Sequence, residues 1–260
     1  MSNHHVGTKE FRIEATADCA TLVLLHGRGS HGLSIASAFE RVWRRYTPPS
    51  TSTTLNGEAA PARATGQRRP LRVIAPFAQA GTWYPYKFTE SREKQDSHGG
   101  HFSGALARVA SAVDDPARTV IVGFSQGACL TLEYVLAHPA RYGGVMALSG
   151  CLLDASEDAD TAFASRGGIS LLQGTPALVA VGDADSFLTP ADASKAAQVL
   201  EKAGAKLIDA TREGACVYPH MQHVVSLAMP RRCQRADKAV QITPHELDVL
   251  DKLLDEVTRR

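Results

Sequence analysis

Gly123-Phe124-Ser125-Gln126-Gly127 carries the strongest chemical signal in the chain. It matches G-x-S-x-G, with a β-branched apolar run before it (Thr119–Phe124) and a helical, mostly apolar run after it (Gln126–His138). A strand-to-helix turn this tight needs small flanking residues, and Gly123 and Gly127 supply them. The serine then stands clear of the backbone at the start of a helix, where aligned peptide dipoles favour developing negative charge. A serine hydroxyl is a poor nucleophile near neutral pH; it needs a base, and the base needs an orienting carboxylate. The chemistry in view is nucleophilic attack on an acyl carbonyl.

On such an elbow the acid and the histidine follow the nucleophile in that order, at the carboxyl ends of later strands. After the apolar run Ala177–Val181 comes Gly182-Asp183-Ala184-Asp185, which offers two carboxylates. After Lys206–Ala210 comes Tyr218-Pro219-His220-Met221-Gln222-His223, which offers two imidazoles. Spacing leaves both choices open. An oxyanion needs two backbone N–H donors. The N–H of Gln126 is one candidate, and the N–H of Arg28, in Leu25-His26-Gly27-Arg28-Gly29, is the other. Trp83 and Tyr84 follow the strand Leu71–Ala75, on the side where doubly wound sheets bind ligands, and are expected to wall the pocket. Cys216, His220 and His223 have the spacing of metal ligands but no fourth partner, so no metal and no cofactor is expected.

The elements that must position these residues alternate regularly. Thr21–Leu25, Leu71–Ala75, Thr119–Phe124, Val145–Leu148, Ala177–Val181 and Lys206–Ala210 read as strands, most of them apolar on both faces. Between them Ile35, Phe39, Val42 and Tyr46 recur at helical spacing, as do Leu106, Val109 and Val113. Gln126–His138 is apolar nearly all round, which predicts a buried central helix. Thr189-Pro190 and Thr243-Pro244-His245-Glu246 are helix starts, the second a capping box. The pattern predicts an α/β fold with a central, mostly parallel sheet and helices on both faces, in one domain spanning 1–260. Two stretches break it. Residues 47–70 are poor in large apolar side chains and read as a flexible loop insertion; residues 224–240 have no clear period and read as an insertion after the histidine segment.

Composition narrows the partners. Twenty-eight basic and 27 acidic residues leave a net charge of +1, without the single-sign field that draws nucleic acid or an anionic membrane. Neither a nucleic-acid partner nor stable membrane association is expected, and the natural partner is a small-molecule ester. The five cysteines are scattered without CxxC spacing, and the N-terminus lacks an apolar core of the signal type; both fit a soluble cytoplasmic chain. Oligomeric state is not legible.

Several segments together resemble one family: LLHGRGS (Leu24–Ser30), the Trp-Tyr-Pro segment (Ala75–Phe88), VGFSQGACLTLEYVLAHPARYGGVMALSG (Val122–Gly150), GTPALVAVGDADSFLTP (Gly174–Pro190), YPHMQH (Tyr218–His223) and ITPHELDVL (Ile242–Leu250). The chain is similar to the phospholipase/carboxylesterase family of α/β-hydrolases, which includes acyl-protein thioesterases, and is closest to the bacterial-type carboxylesterase branch. The resemblance implies an α/β-hydrolase fold and a Ser125–His223–Asp185 triad. It implies cleavage of carboxylic esters of short to medium acyl length through an acyl-enzyme. Acyl-thioesterase or dienelactone-type hydrolysis is the alternative within enzymes, and a non-catalytic ligand-binding protein on a hydrolase scaffold is the alternative outside them. The chain departs from the family pattern where His220 and Gln222 replace glycines and where one extra residue separates Asp185 from Pro190. Without those glycines, the histidine segment is expected to hold a longer, weaker contact to Ser125.

Overall fold

The computed structural model describes residues 10–15, 18–47, 68–97, 99–154, 158–210, 214–223 and 242–259. Eight strands form one sheet: β1 (Glu10–Ile13), β2 (Ala20–Leu25), β3 (Leu71–Pro76), β4 (Thr119–Phe124), β5 (Gly144–Leu148), β6 (Pro176–Gly182), β7 (Lys206–Leu207) and β8 (Cys216–Tyr218). The order is β1-β3-β2-β4-β5-β6-β7, with β8 also on β6; β1 runs antiparallel to β3 and every other pairing is parallel. The helices are α1 (Gly32–Ala38), α2 (Glu40–Trp43), α3 (Arg92–Asp96), α4 (His101–Ala110), α5 (Gln126–Ala137), α6 (Ala159–Ala164), α7 (Pro190–Lys202) and α8 (Pro244–Thr258).

The double-sided apolarity of the central strands has a direct cause. Successive side chains of a strand point to opposite faces, so a strand covered on both sides needs apolar residues throughout. Val23 and Leu25 pack with α4, α5 and α7 in one core, while Leu22 and Leu24 pack with α1, α2 and α8 in the other. The capping boxes at Thr189 and Thr243 are present, each with proline in the first turn.

Two expectations about elements need correction, and two strands were not expected at all. The pattern through Ile35 and Tyr46 is not one helix, because Phe39 leaves helical geometry (φ −102°, ψ 7°) between α1 and α2. The strand expected over Lys206–Ala210 stops at Leu207: Asp209 takes φ 50° and turns the chain off the sheet. The chain returns as β8, which sequence reading did not anticipate, beside the carboxyl half of β6 (Gly182 opposite Tyr218). That return delivers the histidine segment to the ligand-binding edge. The antiparallel edge strand β1 was also unanticipated. Of the two insertions, 48–67 and 224–240 lie outside the described residues; the ends of the first meet where Leu71 N–H donates to the Tyr46 carbonyl at 3.0 Å.

The helix α5 is buried along nearly its whole length, and its one acidic residue shows how. Glu133 accepts from Arg166 Nη2 at 2.6 Å, from Arg166 Nε at 3.0 Å and from the Leu153 N–H at 2.8 Å. Both charged side chains are only 2% exposed. Removing one partner strands the other charge in a dry interior. Arg166→Ala is therefore expected to cost about 3–5 kcal/mol of stability in urea denaturation, and Arg166→Met with Glu133→Leu to recover most of it.

Candidate active site

The strand-to-helix elbow at Ser125 follows from three backbone constraints. Ser125 sits between β4 and α5 at φ 53° and ψ −118°, a conformation that side-chain-bearing residues rarely adopt and that packing must hold. Its N–H donates to the Leu148 carbonyl at 2.9 Å, and its carbonyl accepts from Ala128 and Cys129 N–H. The flanking glycines are dictated by contact: a Cβ on Gly127 would run into the Leu25 carbonyl, and one on Gly123 into the Gly127 carbonyl.

Ser125 Oγ lies 2.8 Å from His223 Nε2, and His223 Nδ1 lies 2.7 Å from Asp185 Oδ2. The second oxygen of Asp185 accepts from the N–H groups of Phe187 (2.8 Å) and Leu188 (3.1 Å). Its side chain is fully buried and that of His223 is 13% exposed. Burial alone would raise the Asp185 carboxyl, but the hydrogen bonds from His223 and the two amides outweigh it and hold it below the usual carboxylate range. The imidazole thus faces an ionised partner, which fixes Nδ1 as the protonated nitrogen and leaves Nε2 free to accept from Ser125.

The two choices left open by spacing have separate spatial outcomes. Asp183 and His220 do not join Ser125; Asp183 Oδ1 instead accepts from the His220 N–H at 2.6 Å. The Asp183 N–H donates to the Tyr218 carbonyl and the Ala184 N–H to the Met221 carbonyl, both at 3.1 Å. Asp183 is a brace for the histidine segment. His220 takes φ 58° without being glycine, and these hydrogen bonds hold it there. The expected long contact between His223 and Ser125 is corrected accordingly: at 2.8 Å it is an ordinary hydrogen bond, because the brace replaces the freedom that glycines would have given.

The loop after β2 has a support of its own. His26 is fully buried, with Nδ1 2.8 Å from the Gly27 carbonyl and Nε2 accepting the Ala78 N–H at 3.0 Å. Burial depresses its pKa to about 4, partly offset by the bond to Gly27, so the ring is neutral with the proton on Nδ1. Sequence reading missed this role; a histidine directly after an all-apolar strand, before glycine, was the available signal. The Arg28 guanidinium donates to the carbonyls of Tyr84 (2.8 Å), Pro85 (3.0 Å) and Tyr86 (2.7 Å). The Gln126 side chain clips the same segment, accepting from the Trp83 N–H at 3.0 Å and donating to the Tyr84 carbonyl at 2.8 Å. Among the described residues no group accepts from the backbone N–H of Arg28 or of Gln126.

These groups open into a cavity of about 1070 Å³ lined by Ser125, His223 and aromatic side chains that include Phe88, Phe124 and Phe187. Phe187 is 64% exposed and its ring lies 4.8 Å from the His223 ring; Phe124 lies 5.6 Å from it on the inner side. Tyr84 lines the cavity as expected, but Trp83 does not. Trp83 is 3% exposed and donates its indole N–H to the His26 carbonyl at 2.8 Å, so it buttresses the loop rather than walling the pocket.

Residues 83–228 match the sequence model of the phospholipase/carboxylesterase family. The chain belongs to that family. It is thereby an α/β-hydrolase of the esterase and thioesterase type. Solved structures carry the likeness over almost the whole chain. A phospholipase/carboxylesterase from Dyadobacter fermentans aligns at 20% identity and a TM-score of 0.62, covering 98% of each chain. The Zea mays acyl-protein thioesterase 2 aligns at 18% and 0.56, over 95% of this chain and 98% of that one. The Bacillus cereus carboxylesterase aligns at 16% and 0.55, over 97% and 96%. At such identities the likeness establishes the shared family fold. No curated protein matches the chain significantly.

Proposed function

We propose that the protein hydrolyses carboxylic esters of short to medium acyl length, with Ser125 as nucleophile, His223 as base and Asp185 as orienting acid. The carrying observation is the continuous line from Ser125 Oγ through both imidazole nitrogens to Asp185, at 2.8 and 2.7 Å. Ser125 Oγ attacks the acyl carbon while His223 Nε2 takes its proton. The negative charge that gathers on the carbonyl oxygen is received by the N–H groups of Gln126 and Arg28. His223 then gives the proton to the departing alkoxide, leaving the acyl group on Ser125. Water, deprotonated by the same nitrogen, attacks that ester; the acyl–Oγ bond breaks, His223 returns the proton to Ser125 Oγ, and the acid is released. No step calls for a cofactor or metal, and a small-molecule ester is the substrate.

The aromatic lining favours an apolar acyl or leaving group, and the cavity volume admits more than an acetyl group. A fluorophosphonate probe tests the nucleophile: the wild-type chain is expected to label at Ser125, whereas a protein that only binds ligands would not. A matched panel of p-nitrophenyl esters, acyl-thioesters and lactones tests the substrate class. The expected order places p-nitrophenyl butyrate first in kcat/KM. A thioester of the same acyl group turned over faster would move the assignment to thioester hydrolysis.

A further inference from the structure

A second histidine–carboxylate pair meets the strand that leads into the histidine segment. His245 Nδ1 lies 2.7 Å from the Tyr218 hydroxyl, and His245 Nε2 lies 2.8 Å from Asp209 Oδ2. The tyrosine and imidazole rings meet edge to face at 5.9 Å. The three residues come from separate elements: Asp209 from the turn that leaves β7, Tyr218 from the last position of β8, and His245 from the first turn of α8.

Helix capping does not explain this pair. The start of α8 is already closed by Thr243 and Glu246, whose side chains accept each other's backbone N–H at 3.1 and 2.6 Å. His245 takes no part in that exchange. Its bonds run sideways, to the residue that opens the segment carrying His223. Among the described residues that segment is tied by the β6 pairing and the hydroxyl at Tyr218, by the Asp183 brace at His220, by the Ala184 N–H on the Met221 carbonyl and by Asp185 on His223 itself. Tyr218 is where the segment leaves the sheet, so a shift there is passed along the short run to His223.

We propose that His245, fixed by Asp209, is a positioning residue that pins Tyr218 and thereby sets where the histidine segment presents His223 to Ser125. The proposal rests on the reading of His223 as the base. Misplacing a catalytic group by a fraction of an ångström lowers the rate of the chemical step more than it weakens substrate binding. His245→Ala and Tyr218→Phe are each expected to lower kcat about tenfold with KM changed less than about twofold. The double variant should lose less than the sum of the two single losses, because both changes break the Tyr218–His245 contact; Tyr218→Phe also removes the hydroxyl's interactions with Thr243 and Cys216.

Conservative variants separate positioning from general support. Asparagine ends near the position of Nδ1 and can still meet the Tyr218 hydroxyl, whereas glutamine reaches only toward Nε2. His245→Asn is expected to restore most of kcat and His245→Gln to restore little. Tyr218→Phe deletes a single oxygen, so it carries the test if His245→Ala fails to fold. Unchanged kcat in Tyr218→Phe overturns the proposal, as does a loss that follows Tm alone and is equal in the asparagine and glutamine variants. His223→Ala tells the two ideas apart. Near wild-type turnover there overturns the base assignment and this proposal with it. An inactive His223→Ala beside fully active His245→Ala and Tyr218→Phe overturns only the positioning role.

Discussion

Ser125→Ala is expected to reduce kcat for p-nitrophenyl butyrate by about 10⁴–10⁶ while leaving thermal unfolding almost unchanged. The asymmetry follows from what each atom does. Oγ is the Ser125 atom that hydrogen-bonds to His223, at 2.8 Å. The fold feels Ser125 through its backbone instead, whose N–H and carbonyl bind Leu148, Ala128 and Cys129. Alanine keeps those bonds and the same Cβ at φ 53°. Ser125→Gly should be equally inactive but more heat-stable, because glycine adopts that backbone conformation without strain. Both activity and Tm are read on the same purified samples. A folded Ser125→Ala protein that hydrolyses the ester near the wild-type rate would remove Ser125 from the chemistry.

Asp185→Asn is expected to cost about 10⁴ in kcat, and the cause is a proton rather than a contact. Asp185 Oδ2 accepts from His223 Nδ1 at 2.7 Å while its other oxygen is held by the amides of Phe187 and Leu188. Those amides are donors, so an asparagine keeps its carbonyl toward them and turns its NH₂ toward His223. The imidazole must then accept at Nδ1 and carry its proton on Nε2, where it cannot take one from Ser125. Asp183→Asn is the control. Its Oδ1 accepts from the His220 N–H at 2.6 Å, which an amide oxygen can still do, so a loss of less than about tenfold is expected. The reverse ranking of the two variants would place the acid at Asp183.

Several features could be read without coordinates because their causes are local. The elbow requires Gly123 and Gly127 within two residues of Ser125; the collision at Gly123 is with the Gly127 carbonyl inside the same turn, although that at Gly127 is with the distant Leu25 carbonyl. The alternation of strands and helices is written as period-two and period-3.6 apolarity, and each capping box is a contact across three residues. The split of β7 from β8 left no such trace. It depends on Asp209 turning off the sheet and on β6 offering its carboxyl half to Cys216–Tyr218, which is a pairing between distant segments.

The chain by itself determined the class of sheet and singled out Ser125 as the proposed nucleophile, with two short segments that each offer a candidate acid or base. Spacing left Asp183 against Asp185 and His220 against His223 open and the resemblance pointed to Asp185 and His223; only the tertiary structure showed which pair lines up with Ser125, and that Trp83 is a buttress rather than a pocket wall. Candidates two or three residues apart share one composition and one turn, so local pattern cannot rank them. What ranks them is the direction each side chain takes across the carboxyl edge of the sheet. That direction is set by partners far along the chain: the Gly182 turn against Met221, Asp183 against His220, and the His26 carbonyl against the Trp83 indole.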